Sequence, residues 1–160
     1  MDVIADTNVV STFGKIERLD LLEDLFPKSV LFISAAVASE LARAEKEPKL
    51  SKIVRKKAKV IRSTKPEQKL TKDLLTKRNI GKAEAECIAI AKSRNMLLLT
   101  NDRIAVKEAR SIGAYVMDLP SIIRELWKQN VLSKEDAESL ITEIEKKDNM
   151  MFIKKDKIFD

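Results

Sequence analysis

Short runs of consecutive apolar residues alternate with amphipathic stretches of helical period along this chain. That is the pattern of buried parallel strands joined by crossover helices. Val3 to Asp6 reads as a buried strand, bounded by Thr7-Asn8 as a turn or helix cap. Leu19, Leu22 and Leu25-Phe26 recur at helical spacing until Pro27 stops them. Val30 to Ser34 is a second strand, and Ser34 is placed to cap a helix over Ala35 to Ala44. Pro48 breaks that helix, with a loop expected over 45–49. Leu50, Ile53, Val54 and Ala58 then form one stripe of a short, very basic helix. Val60-Ile61-Arg62 is a weak strand, and a helix carrying Leu70, Leu74 and Leu75 follows Pro66.

Gly81 precedes a helix from Lys82 to Arg94 that is apolar on nearly every side apart from Glu84 and Glu86. Met96 to Thr100 is the strongest strand pattern, running straight into a helix with Ile104, Ala105 and Ala109 that Gly113 ends. Ala114 to Asp118 makes a last strand. Leu119, Ile122, Ile123, Leu126 and Trp127 mark one amphipathic helix; Ala137, Leu140, Ile141 and Ile144 mark another, capped by Ser133. Such stripes serve as core or as a dimer seam. The alternation predicts an α/β fold, a three-layer α/β/α sandwich with a central, mainly parallel sheet of about four to five strands. With 160 residues and no dividing linker, the expectation is a single domain over 1–160.

Four acidic residues stand out against that framework. Asp6 ends the first apolar run, and Asp102 follows Leu97-Leu98-Leu99-Thr100-Asn101. Glu40 and Glu84 lie near the starts of two helical segments. Ligands of parallel sheets bind outside the carboxyl ends of the strands. Crossover helices run back antiparallel, so their first turns hang over the same edge and all four carboxylates gather there. Such a cluster repels itself unless a cation sits among it. Oxygen-only ligands point to Mg²⁺ or Mn²⁺. Each acid also has a plainer reading: Asp6 and Asp102 as helix caps, Glu40 as a surface residue. Glu84 is harder to dismiss, because Cys87, Ile88 and Ala91 place it on an inward stripe. Glu86 points elsewhere on the wheel, as a supporting residue or a surface acid.

Composition narrows the chemistry further. With no histidine there is no imidazole base and no Ser-His-Asp triad. Three glycines, Gly14, Gly81 and Gly113, cannot form a phosphate-binding glycine loop. The lone Cys87 sits in an apolar helix and reads as a buried thiol. Residues 43–82 hold 15 Lys/Arg against 4 Asp/Glu, and the rest hold 16 against 21, so the net +6 divides into +11 and −5. A basic block beside an acidic edge suits a phosphodiester substrate. Charged residues at 35% also resemble hyperthermophile composition. No stretch is long enough to span a membrane, and the N-terminus becomes a strand rather than a secretory signal; a cytoplasmic location is expected.

Taken in order, Val3-Ile4-Ala5-Asp6-Thr7-Asn8, Ala38-Ser39-Glu40-Leu41, Gly81-Lys82-Ala83-Glu84-Ala85-Glu86 and Leu97 to Asp102 resemble the PIN-domain nucleases. The 18-residue step from Glu84 to Asp102 matches the family's spacing between its third and fourth acids. The resemblance implies a PIN-like fold with Asp6, Glu40, Glu84 and Asp102 as catalytic, metal-binding acids, supported by Thr7, Asn8, Thr100 and Asn101. It also implies a Mg²⁺- or Mn²⁺-dependent ribonuclease that cuts single-stranded RNA internally. VapC-type toxins of toxin–antitoxin pairs often carry T-x-D-x-D-F at the fourth acid, but here Thr100-Asn101-Asp102-Arg103-Ile104 lacks the further Asp and the Phe. Asp102-Arg103-x-Ala105, Gly113 and the tail Met151-Phe152-Ile153-Lys154 look more like stand-alone PIN proteins of archaea and bacteria, although Ala83 stands where that branch often has Gly.

Asp6 is then the expected central ligand, with Glu84 and Asp102 completing one metal site and Glu40 sharing a second metal or orienting water. Lys and Arg from 43–82 would track the RNA backbone, and Trp127 and Tyr115 are expected in the core. Expected partners are RNA, an antitoxin protein if the chain is a toxin, and a second copy in a homodimer or higher oligomer. The alternative is a nucleic-acid-binding PIN protein that scaffolds without cutting. Phosphotransfer readings fail: Asn8 occupies the second acid of a haloacid-dehalogenase D-x-D, and Val60-Ile61-Arg62-Ser63 offers no receiver aspartate.

Overall fold

The computed structural model describes residues 1–44, 49–77 and 79–160; the expected break at Pro48 and all of the 45–49 loop except Lys49 lie outside the described residues. Among the described residues five strands form one sheet: β1 (Val3–Ala5), β2 (Leu31–Ser34), β3 (Lys59–Ile61), β4 (Leu97–Leu99) and β5 (Tyr115–Met117). Their order is β3-β2-β1-β4-β5, and every neighbouring pair is parallel. The α/β/α sandwich with a parallel sheet is therefore as the alternation predicts.

The connections decide the layers. From β1 the chain steps to β2 and then β3 through α1 (Thr7–Lys15), α2 (Asp20–Leu25), α3 (Ala35–Ala42) and α4 (Leu50–Lys57). It then returns across the sheet through α5 (Lys65–Leu75) and α6 (Lys82–Arg94) to β4, and through α7 (Arg103–Ser111) to β5. Right-handed crossovers in opposite directions place these two sets of helices on opposite faces. Finally α8 (Leu119–Lys128) and α9 (Lys134–Asp148) pack on α2 and α1, and a C-terminal arm ends in α10 (Lys155–Ile158) against α8.

β1 is central and covered on both sides: Val3, Ile4 and Ala5 are all buried. α6 lies across β1, β2 and β4 while also packing on α3, α5 and α7. Its alanines, Ala83, Ala85, Ala89 and Ala91, allow that crowding, and Cys87 among them is a buried free thiol. The amphipathic stripe of α8 is buried within the chain, with Leu119, Ile122, Ile123 and Leu126 almost fully covered. It is core rather than an open seam.

Element ends are set by caps. Asp6 already caps α1 and so ends β1 at Ala5, Ser34 caps α3, and Thr64 with Glu67 forms a capping box at α5, putting Pro66 in its first turn. Gly113 closes α7 at φ +78°, the left-handed region that glycine adopts without strain. Two aromatic expectations need correction. Tyr115 is 56% exposed, because β5 is an edge strand with no neighbour beyond it. Trp127 is half-buried, stacks on Phe159 and donates its indole N–H to the Ile158 carbonyl at 2.7 Å, which pins the arm. Among the described residues no helix is long and apolar enough to cross a membrane.

Candidate metal centre at the carboxyl edge of the sheet

The chain leaves β1 toward β2 and leaves β4 toward β5, so the connections part between these two central strands. A doubly wound sheet opens its binding crevice at that point. The first residues beyond the two strands are Asp6 and Thr100. The Asp6 amide donates to the Leu99 carbonyl at 3.0 Å, and the Thr100 amide to the Met117 carbonyl at 3.2 Å.

Asp6 is 1% exposed, and both of its oxygens are engaged. Oδ1 accepts the Val9 N–H at 2.9 Å as the N-cap of α1, and Oδ2 accepts the Thr100 hydroxyl. Burial pushes the Asp6 carboxyl up to about 6. The two hydrogen bonds oppose that rise, whereas the charges of Glu84 and Asp102 add to it. Two acids from distant stretches, Glu84 and Asp102, thus act on one buried group. The same field reaches Cys87, whose thiol is pushed well up by burial and then by Asp6, Glu86 and Glu84.

Asp102 caps α7 through Oδ1 and the Ala105 N–H at 2.8 Å, and its own amide donates to Thr100 Oγ1 at 3.2 Å. The capping readings of Asp6 and Asp102 are correct, and they coexist with the electrostatic clustering. Glu84 stands half-buried in the first turn of α6, where the helix dipole favours a carboxylate. Gly81 leaves room for it, since a Cβ there would run into the Glu84 carboxylate. Glu40 belongs to the same edge through Thr7, whose hydroxyl donates to Glu40 Oε2 at 2.6 Å. Asn8 is exposed and Asn101 half-buried; both line a polar cleft beside the acids.

Of the two readings of Glu86, supporting residue or surface acid, its burial rules out the second. It is 8% exposed, not a surface residue, and its Oε1 accepts the Ala36 N–H in the first turn of α3 at 3.2 Å. α6 is packed on all sides, so a helical wheel could not separate its inward and outward faces. The available signal was Ser34 opening α3, a helix whose free N–H groups need further acceptors.

The basic block is divided by the fold. Helix α4 ends in Arg55, Lys56 and Lys57, and Lys57 and Lys59 flank a cleft with Val3, Val30 and Leu31 at the starts of the strands. These lysines face the edge opposite the acids, and Lys57 is paired with Glu23 at 2.9 Å. The basic block is therefore not all beside the acidic edge, because α4 runs back and ends at the far side of the sheet with its last lysine.

Among the described residues, no three acidic, His or Cys side chains stand close enough to hold one metal ion as arranged here. Helix N–H groups and threonine hydroxyls engage oxygens of Asp6, Asp102 and Glu40. In type, the donors are hard carboxylate oxygens, which fit a hard divalent cation.

Residues 2–158 match the protein family described as "DUF3368: PIN domain". No curated protein matches the chain at a significant level. Among solved structures it is similar to VapBC2 from Rickettsia felis, bound to a DNA fragment from their promoter. The TM-score is 0.55 at 17% identity, over 74% of this chain and 98% of that one. It is also similar to a domain of a functionally unknown protein from Methanocaldococcus jannaschii, with a TM-score of 0.50 at 27% identity, over 74% of this chain and 90% of that one.

Proposed function

The chain belongs to the PIN-domain family matched over residues 2–158, and from that premise we propose that it is a Mg²⁺- or Mn²⁺-dependent ribonuclease cutting single-stranded RNA internally. One observation carries the reading: at the switch point between β1 and β4 a single hydroxyl, that of Thr100, bonds both the buried Asp6 carboxylate and the Asp102 amide, so two acids from distant stretches are held at one edge.

In this reading Asp6, Glu84 and Asp102 hold the ion, with Glu40 beside them through Thr7. The ion would polarise the phosphate and lower the pKa of an attacking water. The chain's own residues do the rest. The Thr100 hydroxyl, bonded to Asp6 and to the Asp102 amide, keeps the ends of β1 and β4 aligned. Glu86 ties α6 to α3, the helices that carry Glu84 and Glu40. Asn8 and Asn101 offer polar contacts at the rim.

The deciding experiment is Asp6→Asn assayed on single-stranded RNA with Mg²⁺ or Mn²⁺. Cleavage should fall at least about a hundredfold while RNA binding persists, as for loss of a central metal ligand. Wild-type rates in the variant would end the proposal.

Similarity to a VapBC structure supports a toxin role with an antitoxin partner, whereas the missing Asp and Phe after Asp102 favour a stand-alone protein. The absence of a closed ligand cluster among the described residues favours the second reading, a PIN scaffold that binds nucleic acid without cutting. Metal binding without cleavage across varied RNAs would select it.

A further inference from the structure

Two clefts meet beside the acid edge. One, between α1 and the end of α9, is lined by Asn8, Ser11, Lys15, Asn101, Asp148 and Met150. The other shares Asn101 and Met150 and continues along α7 past Arg103 and Arg110, beneath the C-terminal arm. They join at Asn101, the residue between Thr100 and Asp102.

Their electrostatics differ. In the first cleft Lys15 is paired with Asp148 at 3.1 Å, and the other Asp148 oxygen takes the Thr12 hydroxyl at 2.5 Å, so the charges there cancel. In the second, Arg103 and Arg110 are both exposed and stand seven residues apart on one face of α7, about 10 Å along its axis. Asp118, which also lines it, is engaged in capping α8 through the Ser121 N–H at 3.0 Å. The arm adds two apolar side chains held in the open, Met151 at 79% and Ile153 at 66% exposed. Between them Phe152 is buried, and its N–H is bonded to Glu145 at 3.0 Å, so the arm is anchored where its neighbours face outward. Exposed cations beside an anchored apolar surface are what a single-stranded nucleic acid requires, the cations for its phosphates and the apolar surface for its base faces.

We propose that the trough between α7 and the arm is the path a single-stranded RNA follows away from the acid edge. Arg103 and Arg110 take its phosphates, and Met151 with Ile153 supports a base. The choice of RNA rests on the ribonuclease reading; the trough itself rests on its own residues.

Binding of a short single-stranded RNA to Asp6→Asn protein, followed by fluorescence anisotropy across a salt series, tests this without cleavage. Arg110→Ala should weaken binding about fivefold and reduce the salt slope by about 0.7, and adding Arg103→Ala should double both effects on a logarithmic scale. Lys59→Ala removes the same charge at the opposite edge and should change little, while Arg110→Lys should retain most of the affinity. Melting temperatures confirm that each variant is folded. Equal losses from Lys59→Ala and Arg110→Ala, no loss from Arg110→Ala, or no RNA binding at all would overturn the trough. Cleavage by the wild type is read separately, so a failed nuclease reading and a failed trough give different results.

Discussion

Thr100 donates its hydroxyl to Asp6, ninety-four residues away, and both side chains are sealed from solvent. The same hydroxyl oxygen accepts the Asp102 amide. One small side chain thus joins the ends of the two central strands and sets the position of two acids at once. Val9 supplies the other hydrogen bond to Asp6, so the buried carboxylate is held from both sides.

Replacing Thr100 with Val keeps the shape and removes the donor. Asp6 Oδ2 then lacks its partner, at a cost of about 1–3 kcal/mol in urea unfolding. Because the Thr100 bond holds the Asp6 carboxyl down, its pKa should rise above about 6 and metal-dependent cleavage should fall. Thr100→Ser should restore both. Unchanged stability in Thr100→Val would refute the joint.

Asp6→Asn should stabilise the protein at neutral pH in the absence of metal. Burial raises the Asp6 carboxyl from 3.8 to about 6, so its contribution to stability is full below pH 3.8 and lost as pH rises through 6. The loss is on the order of 3 kcal/mol. Asparagine pays no such charge penalty and can still bond Val9 and Thr100. Melting curves should show the variant ahead at pH 8 and the gap closing by pH 4. A gap independent of pH would mean that Asp6 is not the strained acid.

Glu67 should control stability in acid. It is 1% exposed and receives two Arg94 hydrogen bonds, each 2.8 Å, and the Thr64 N–H. The Arg94 guanidinium holds its carboxyl at about 2, below the ordinary 4.5. That stabilisation is complete above pH 4.5 and disappears as pH falls through 2. Glu67→Gln should therefore lose about 3 kcal/mol at pH 7 and match the wild type near pH 2. A constant difference over that range would show that the ion pair is not the source.

Much of the architecture was legible because burial writes its period into each element. Val3-Ile4-Ala5 and Leu97-Leu98-Leu99 are unbroken apolar runs because both faces of their strands are covered, and the caps at Asp6, Ser34, Asp102 and Ser133 sit where the periods change. Less was legible where a position depends on neighbours from elsewhere. Tyr115 has a strand former's side chain, yet the edge place of β5 exposes it. Glu86 lies on a helix packed all round, so only the approach of α3 shows why it is buried.

The order of residues alone determined most of the elements, the parallel α/β class, and the placing of Asp6 and Asp102 just past strand ends, since these follow from local hydrogen bonding and from which positions must be dry. Tertiary structure decided that β1 lies next to β4, that Thr100 reaches Asp6, and that Lys57 and Lys59 face away from the acids. Those outcomes depend on which elements become neighbours. Packing and crossover direction settle that across the whole chain, and no local window of residues contains the information.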